Sequence, residues 1–101
     1  KPFQEQDRFS SLHLSPIQVN FEVVDKSRKQ IFDELRNKGI GVNVHYIPIH
    51  LHPYYSKLGF KGGDFPNAEA YYERAISIPL FHSMTPHQQD EVFNSLKLTL
   101  E

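Results

Sequence analysis

Alternating apolar and polar residues predict a first strand between Leu12 and Val24. In the second half of this segment every second residue is apolar, at Ile17, Val19, Phe21 and Val23. A period of two is typical of a strand with one buried face. Pro16 has no backbone N–H to donate, which predicts an edge position or a bulge at that point.

Three later segments have the apolar spacing of helices. The first is predicted from Lys26 to Lys38 with Asp25 as its N-cap, the second from Asn67 to Ile76, and the third from Thr85 to about Leu100. The third helix starts with a capping box that places proline at its first position, formed by Thr85, Pro86 and Gln88. The side chains expected to be buried are Ile31, Phe32 and Leu35 in the first helix, Ala68, Tyr71, Tyr72, Ala75 and Ile76 in the second, and Val92, Phe93, Leu96 and Leu100 in the third.

A further strand is predicted from Ile40 to about Ile47, and Ser77 to Leu80 is predicted to be a short strand or an extended segment. In the longer strand, one face carries Val42, Val44 and Tyr46, and the other carries Asn43, His45 and Ile47. The order of elements predicts an α+β fold, with a small, mostly antiparallel sheet of about three strands and helices packed on one face. Residues 1–11 are predicted to be a linker or a severed tail, and residues 12–101 a single domain.

Composition narrows the class of protein without naming a function. The chain has 101 residues, 39% of them hydrophobic and 23% charged, and a net charge of −1 with scattered basic residues, which gives no indication of nucleic-acid binding. There is no cysteine, so disulfides and thiolate metal sites are excluded, and this is consistent with a cytoplasmic protein. The apolar runs are too short to span a bilayer, so no membrane partner is expected.

The segment from Gly39 to Tyr55 concentrates the candidate chemistry, with three histidines, three tyrosines and two prolines. Such side chains cost free energy to bury without partners, so a cluster after a strand indicates a surface that meets a ligand or another protein. His45, His50 and His52 have no acidic or thiolate ligand beside them, so no metal site is predicted.

Two other arrangements are weaker. Ser56, a histidine and Asp64 lack the glycine-framed turn of a nucleophilic serine, so no catalytic triad is predicted. The glycines of LGFKGGDF match neither a P-loop nor a dinucleotide fingerprint, and turn residues are the better interpretation of Gly59, Gly62 and Gly63.

The stretch His45-Tyr46-Ile47-Pro48-Ile49-His50, followed by Pro53-Tyr54-Tyr55, resembles the HYxPxH…PxY segment of the DegT/DnrJ/EryC1/StrS sugar aminotransferases. Other matching pieces occur in the family's order: His13-Leu14, Gly39-Ile40, Phe65-Pro66-Asn67-Ala68-Glu69, Ser77-Ile78-Pro79-Leu80-Phe81 and the last helix. The resemblance covers Leu12 to Leu100. The sequences HYIPIH and FPNAEAYYERAISIPLF are most similar to the corresponding segments of the aminotransferases of pseudaminic acid biosynthesis.

The resemblance implies the C-terminal small domain of a fold type I enzyme that uses pyridoxal 5′-phosphate (PLP). Such enzymes transfer an amino group from glutamate to C4 of a UDP-linked 4-keto-6-deoxy sugar, and they are usually homodimers. In the family a separate large domain carries the cofactor-binding lysine, and none of the seven lysines here occupies its motif. The resemblance therefore implies a fragment that is inactive by itself, with PLP bound only in the full-length parent.

Carried over from the family, the substrate-binding residues are His45 and Tyr46, with Tyr55 as a third candidate, and no catalytic, cofactor or metal residue is expected. The alternation of the predicted strand supports His45, which points away from the core face, but it places Tyr46 with Val42 and Val44. The alternative hypothesis is a free-standing α/β module that binds a ligand or a protein and does no chemistry.

Overall fold

The computed structural model describes residues 5–101. Residues 5–14 contain no helix or strand, and residues 1–4 of the predicted tail lie outside the described part. The elements are β1 (Ser15–Gln18), α1 (Phe21–Val24), α2 (Arg28–Asn37), a 3-10 turn (Ile49–Leu51), α3 (Pro53–Lys57), α4 (Pro66–Arg74), β2 (Ala75–Ile78) and α5 (Pro86–Leu100).

A small antiparallel sheet confirms the predicted α+β class. β1 pairs with β2 so that Pro16 lies opposite Ser77 and Ile17 opposite Ile76. The N–H and C=O of Ser77 instead bond to Asn43 on the other side of β2, at 2.7 and 3.1 Å. β1 is therefore an edge strand, which is where Pro16 was expected because it cannot donate to a ladder.

The count of three strands was too high, because the predicted strand from Ile40 to Ile47 is reduced to a single bridge at Asn43. β2 is only four residues long. Alternate residues of an antiparallel strand turn their backbone N–H and C=O groups to opposite sides. On the side of β2 away from β1, the backbone groups of Ser77 are the ones that pair with a neighbour, Asn43.

The core lies where Ile76 of β2 meets α2 and α5. Ile31, Leu35 and Ile76 have no exposed surface, and Val92 and Leu96 of α5 are also buried. These five positions confirm the predicted apolar faces. Three others were wrong, since Phe93, Tyr71 and Ala68 are exposed.

The first predicted strand was too long, because Phe21–Val24 forms α1 and not a strand. Asn20 caps this turn by accepting a hydrogen bond from the Glu22 N–H at 3.2 Å. Asp25 then ends α1 in the left-handed region, at φ 56°, and does not start the next helix. An alternation over four residues cannot distinguish a strand end from one capped turn, and the capping side chain favoured the turn.

Ser27 and Gln30 begin α2 with a reciprocal capping box, so the prediction of Asp25 as the N-cap was wrong. The capping box of Thr85 and Gln88 with Pro86 at the first turn of α5 is confirmed. Each box satisfies two backbone N–H groups that a helix start otherwise leaves without partners. α4 ends at Arg74 and β2 begins at Ala75, two residues earlier than expected.

The segment after the bridge contains a 3-10 turn and the short helix α3, neither of which was predicted. Pro53 occupies the first turn of α3, where its missing N–H costs nothing. Across residues 5–101, no helix has the length and apolar character needed to cross a membrane.

Candidate functional site

His45 is held in place by a buried serine. Its Nδ1 lies 2.8 Å from Oγ of Ser77, a residue only 5% exposed. Ser77 is fixed in turn by its backbone bonds to Asn43 and by its place in β2. Because Nδ1 is engaged with the hydroxyl, Nε2 is the ring nitrogen left for a ligand.

The ring of His45 lines a cavity of about 250 Å³, here called the His45 cavity. Its polar wall consists of His13, Ser15, Asn43, His45 and Ser77, and its other wall comes from the end of β2 and the residues after it. Ser77, Asn43 and His13 were not among the candidate site residues predicted from the sequence. The strand pattern contained a signal for Ser77, because a small hydroxyl residue sits there between two isoleucines.

Tyr46 lies next to His45 and is largely exposed. The two ring centroids are 4.5 Å apart, and 67% of Tyr46 is accessible to solvent. The strand face predicted to carry Val42, Val44 and Tyr46 is not formed, because the chain leaves the sheet after Asn43 and the strand alternation stops there. The pair thus presents one partly buried imidazole and one open phenol.

Tyr55 belongs to a different cavity, here called the aromatic cavity. This space of about 450 Å³ is lined by Pro48, Ile49, His50, Tyr55, Phe60, Phe65 and Ala68, none of which lines the His45 cavity. The Tyr55 and Phe60 rings meet edge to face at 6.4 Å, and Phe60 is 6.2 Å from Phe65. The structure therefore brings His45 and Tyr46 together and places Tyr55 among packed aromatic rings.

The aromatic cavity is supported by a hydrogen-bonded pair, His50 and Glu69. His50 is 6% exposed, and its Nε2 lies 2.6 Å from Glu69 Oε1. Glu69 also accepts from the Gly63 N–H, at 2.8 and 3.0 Å to its two oxygens. An ionised carboxylate can only accept, so Nε2 of His50 carries the proton in this pair. The pair ties the 3-10 turn to α4 and to the glycine loop.

His52 makes only a local contact, from Nε2 to the Ile47 carbonyl at 3.1 Å. No group of three or more histidine, cysteine, aspartate or glutamate side chains within residues 5–101 is placed to hold a metal ion. The three histidines of the segment are engaged with a serine, a glutamate and a backbone carbonyl, respectively.

Hydrogen bonds from His50 and, to a smaller extent, from Gly63 hold the pKa of the Glu69 carboxyl below its usual value. Because the folded-state pKa lies below the unfolded one, Glu69 stabilises the folded chain above the unfolded pKa. This contribution is lost as the pH falls through the folded-state pKa. We therefore expect acidification from about pH 7 to about pH 3 to narrow the stability gap between the wild type and Glu69→Gln.

Urea unfolding followed by circular dichroism at a series of pH values measures this gap. Glu73→Gln is the matched control, since Glu73 is exposed on the same helix. A gap between wild type and Glu69→Gln that stays constant down to about pH 3 would contradict the role given to the carboxylate.

The six lysines within the described residues 5–101 lie outside the linings of the His45 cavity and the aromatic cavity. Lys26 bonds to Glu34 and to the Thr99 carbonyl, Lys29 to Asp33, and Lys38 to the Thr99 hydroxyl, at 2.6–3.0 Å. The remaining ones in the described range, Lys57, Lys61 and Lys97, are exposed and line neither cavity.

Comparison with known proteins identifies relatives both by sequence and by structure. The chain is 39% identical to the spore coat polysaccharide biosynthesis protein SpsC of Bacillus subtilis over 98 residues. The aligned segment covers 95% of this chain and 25% of SpsC. Helicobacter pylori PseC, an aminotransferase involved in the biosynthesis of pseudoaminic acid, superposes with a TM-score of 0.79 at 30% identity, over 90% of this chain and 24% of PseC. The PMP form of the putative sugar aminotransferase Spr1654 of Streptococcus pneumoniae superposes with a TM-score of 0.78 at 33% identity. The superposition covers 90% of this chain and 23% of Spr1654.

The chain spans a quarter or less of the length of the curated relatives it matches. The DegT/DnrJ/EryC1/StrS aminotransferase family matches residues 1–97. This match includes the His45-Tyr46 segment, the glycine loop, α4 and most of α5. The chain therefore belongs to the DegT/DnrJ/EryC1/StrS aminotransferase family.

Proposed function

We propose that this chain is the C-terminal small domain of a PLP-dependent nucleotide-sugar aminotransferase. The complete enzyme would transfer the amino group of glutamate to C4 of a UDP-linked 4-keto-6-deoxy sugar. Family membership supports the reaction class, since these sugar aminotransferases use PLP. The similarity to PseC supports a sugar of the pseudaminic acid type.

The observation that carries the proposal is the His45 and Tyr46 pair. The imidazole is held through Nδ1 by Ser77, and the phenol lies beside it with two thirds of its surface exposed. An imidazole N–H and a phenol O–H can both donate to sugar hydroxyls or diphosphate oxygens. We therefore assign the pair to binding and orientation of the nucleotide sugar.

Tyr55 is a weaker candidate for contact with the sugar. Its ring packs against Phe60 in the aromatic cavity, and 39% of the residue is exposed. Its place in the packed cluster favours support of the segment between Pro48 and Phe65.

PLP, when bound, supplies the chemistry of amino transfer. Because no described lysine lines either cavity, we propose that the cofactor site belongs to a large domain outside this chain and that the chain alone does not transfer amino groups. The small domain would then close one side of the substrate site, which is a common location for ligand pockets.

Exposed apolar side chains beside His45 support a covering domain. Tyr46 and Ile47 are 67% and 51% exposed, and Ile49, on the other side of the buried Pro48, is 67% exposed. Clustered exposed apolar surface marks interfaces more often than free surface. We propose that the large domain covers this surface and that the complete enzyme is a homodimer.

Cofactor uptake tests whether PLP binds to the complete protein and not to the 101-residue chain alone. The complete natural protein, incubated with PLP, is expected to show a visible absorption band that is lost on borohydride reduction. The 101-residue chain, treated in the same way, is expected to remain colourless. A complete protein that takes up no PLP would contradict the proposal and would favour a binding module without catalysis.

A further inference from the structure

Tyr46 lies between two hydrogen-bonded anchors. On one side, His45 Nδ1 is 2.8 Å from the Ser77 hydroxyl. On the other side, four residues after Tyr46, His50 Nε2 is 2.6 Å from Glu69 Oε1 on α4. Tyr46 itself is 67% exposed, so its own packing holds it weakly. The anchors on either side therefore decide where its phenol lies.

Residues 47–52, here called the 47–52 turn, form one hydrogen-bonded unit. The Leu51 N–H bonds to the Pro48 carbonyl at 2.9 Å, and the His52 N–H bonds to the Ile49 carbonyl at 3.0 Å. The His52 side chain closes the unit through Nε2, which is 3.1 Å from the Ile47 carbonyl. Because these bonds link both ends of the turn, a contact made at its centre also fixes its start at Ile47.

Glu69 joins the 47–52 turn to the body of the domain. Its partner His50 is 6% exposed and also packs against Phe65, with ring centroids 4.8 Å apart. The Glu69 carboxylate is held from a second direction by the Gly63 N–H, at 2.8 and 3.0 Å. Charge-assisted hydrogen bonds of this kind are stronger than neutral ones. A carboxylate bonded on two sides therefore gives His50 a fixed point of attachment on α4.

We propose that Glu69 is a positioning residue for the nucleotide-sugar site, because through His50 it sets the place of the 47–52 turn and with it the orientation of Tyr46. The inference rests on the proposed function for the role of Tyr46. Glu69 lines neither the His45 cavity nor the aromatic cavity, so its effect passes through His50. A displacement of about 1 Å in a group that orients a substrate can cost up to about a hundredfold in rate.

Two conservative variants of the complete natural protein separate the reach of Glu69 from its charge. Glu69→Asp keeps the charge but shortens the side chain, which breaks the contact to His50. Glu69→Gln keeps the length and an accepting oxygen but loses the charge. We expect Glu69→Asp to raise the KM for the nucleotide sugar about tenfold and Glu69→Gln to raise it less than about threefold. The KM for glutamate should stay unchanged in both.

Glu73→Asp is the matched control, because Glu73 is exposed on the same helix, and it should change neither KM. Circular dichroism checks that each variant is folded. An unchanged KM for the sugar in Glu69→Asp would overturn the inference. So would equal effects of Glu69→Asp and Glu69→Gln, because charge and not reach would then matter. A parallel rise in the KM for glutamate would also overturn it, because the loss would be general.

Hydrogen exchange tests the same link without catalysis. The amides of Leu51 and His52 are bonded within the 47–52 turn, so their exchange rates report its opening. Glu69→Asp should speed exchange at both amides about tenfold or more, because opening no longer breaks the bond to His50. Glu73→Asp should leave both rates as in the wild type. Unchanged exchange in Glu69→Asp would overturn the inference even if the KM for the sugar rises.

These outcomes distinguish failure of the inference from failure of the proposed function. If the wild type transfers the amino group to the nucleotide sugar with a KM that is insensitive to Glu69→Asp, the proposed function stands and the positioning role is wrong. If the wild type accepts no nucleotide sugar, the proposed function is wrong. Faster exchange in Glu69→Asp would then show that Glu69 holds the turn for a purpose other than sugar binding, which overturns the positioning role.

Discussion

Replacement of Ile76 by alanine is expected to lower the free energy of unfolding by about 3 kcal/mol, within the usual range of about 2–5 kcal/mol for such truncations. Ile76 has no exposed surface and lies between the sheet and the helices α2 and α5. Removal of its outer carbons leaves a cavity that Ile31 and Leu35, themselves fully buried, cannot fill without distortion. Chemical denaturation of the purified protein measures the change.

The matched control is Ile49→Ala, the same substitution at a residue that is 67% exposed. We expect it to cost less than about 1 kcal/mol, because little apolar surface returns to water. Equal losses for the two variants would contradict the position of the core.

Replacement of His45 by alanine in the complete natural protein is expected to lower kcat/KM for the nucleotide sugar by about tenfold to a hundredfold. The variant loses a hydrogen bond to substrate and also leaves the buried hydroxyl of Ser77 without its imidazole partner. The KM for glutamate should change little, because we assign His45 to the sugar. Steady-state kinetics with each substrate varied in turn separates the two effects.

His87→Ala serves as the control for loss of an imidazole, since His87 is exposed on α5 and lines neither cavity. It is expected to retain wild-type kinetics. A His45→Ala enzyme with unchanged kcat/KM for the sugar would show that the imidazole does not contact the substrate.

Elements with strong local signals were predictable from the sequence. The capping box of Thr85 and Gln88 with Pro86 fixes the start of α5 through contacts within one turn, so the sequence carries all the information. The apolar spacing of Ile31 and Leu35 likewise marks the buried side of α2.

Elements that depend on distant partners were not predictable in the same way. Residues 40–47 have the composition of a strand, but pairing requires a neighbour, and β2 offers them only Ser77. The alternation at Phe21–Val24 was overridden by one local hydrogen bond from Glu22 to Asn20. Sequence alternation describes which residues suit a sheet, whereas strand length is set by what lies beside them.

In the candidate site, too, local motifs were predictable from the sequence and contacts between distant residues were not. His45 and Tyr46 were selected from their motif, and the structure places them side by side. Ser77 lies 32 residues from His45 in sequence, and Glu69 lies 19 residues from His50, so neither contact could follow from spacing alone. Tyr55 was assigned to substrate from its motif, but side-chain packing places it in a separate cavity.

We proposed that this domain serves amino transfer to a nucleotide sugar, and transfer of nitrogen from 15N-labelled glutamate tests this proposal most directly. The complete natural protein would be incubated with PLP, the labelled glutamate and a UDP-linked 4-keto-6-deoxy sugar, and the products analysed by mass spectrometry and NMR. If the proposal is correct, 15N becomes attached to C4 of the sugar, at a rate that falls at least about tenfold in the His45→Ala enzyme. A sugar that remains unlabelled while the protein holds PLP, or labelling that is unaffected by loss of His45, would contradict it.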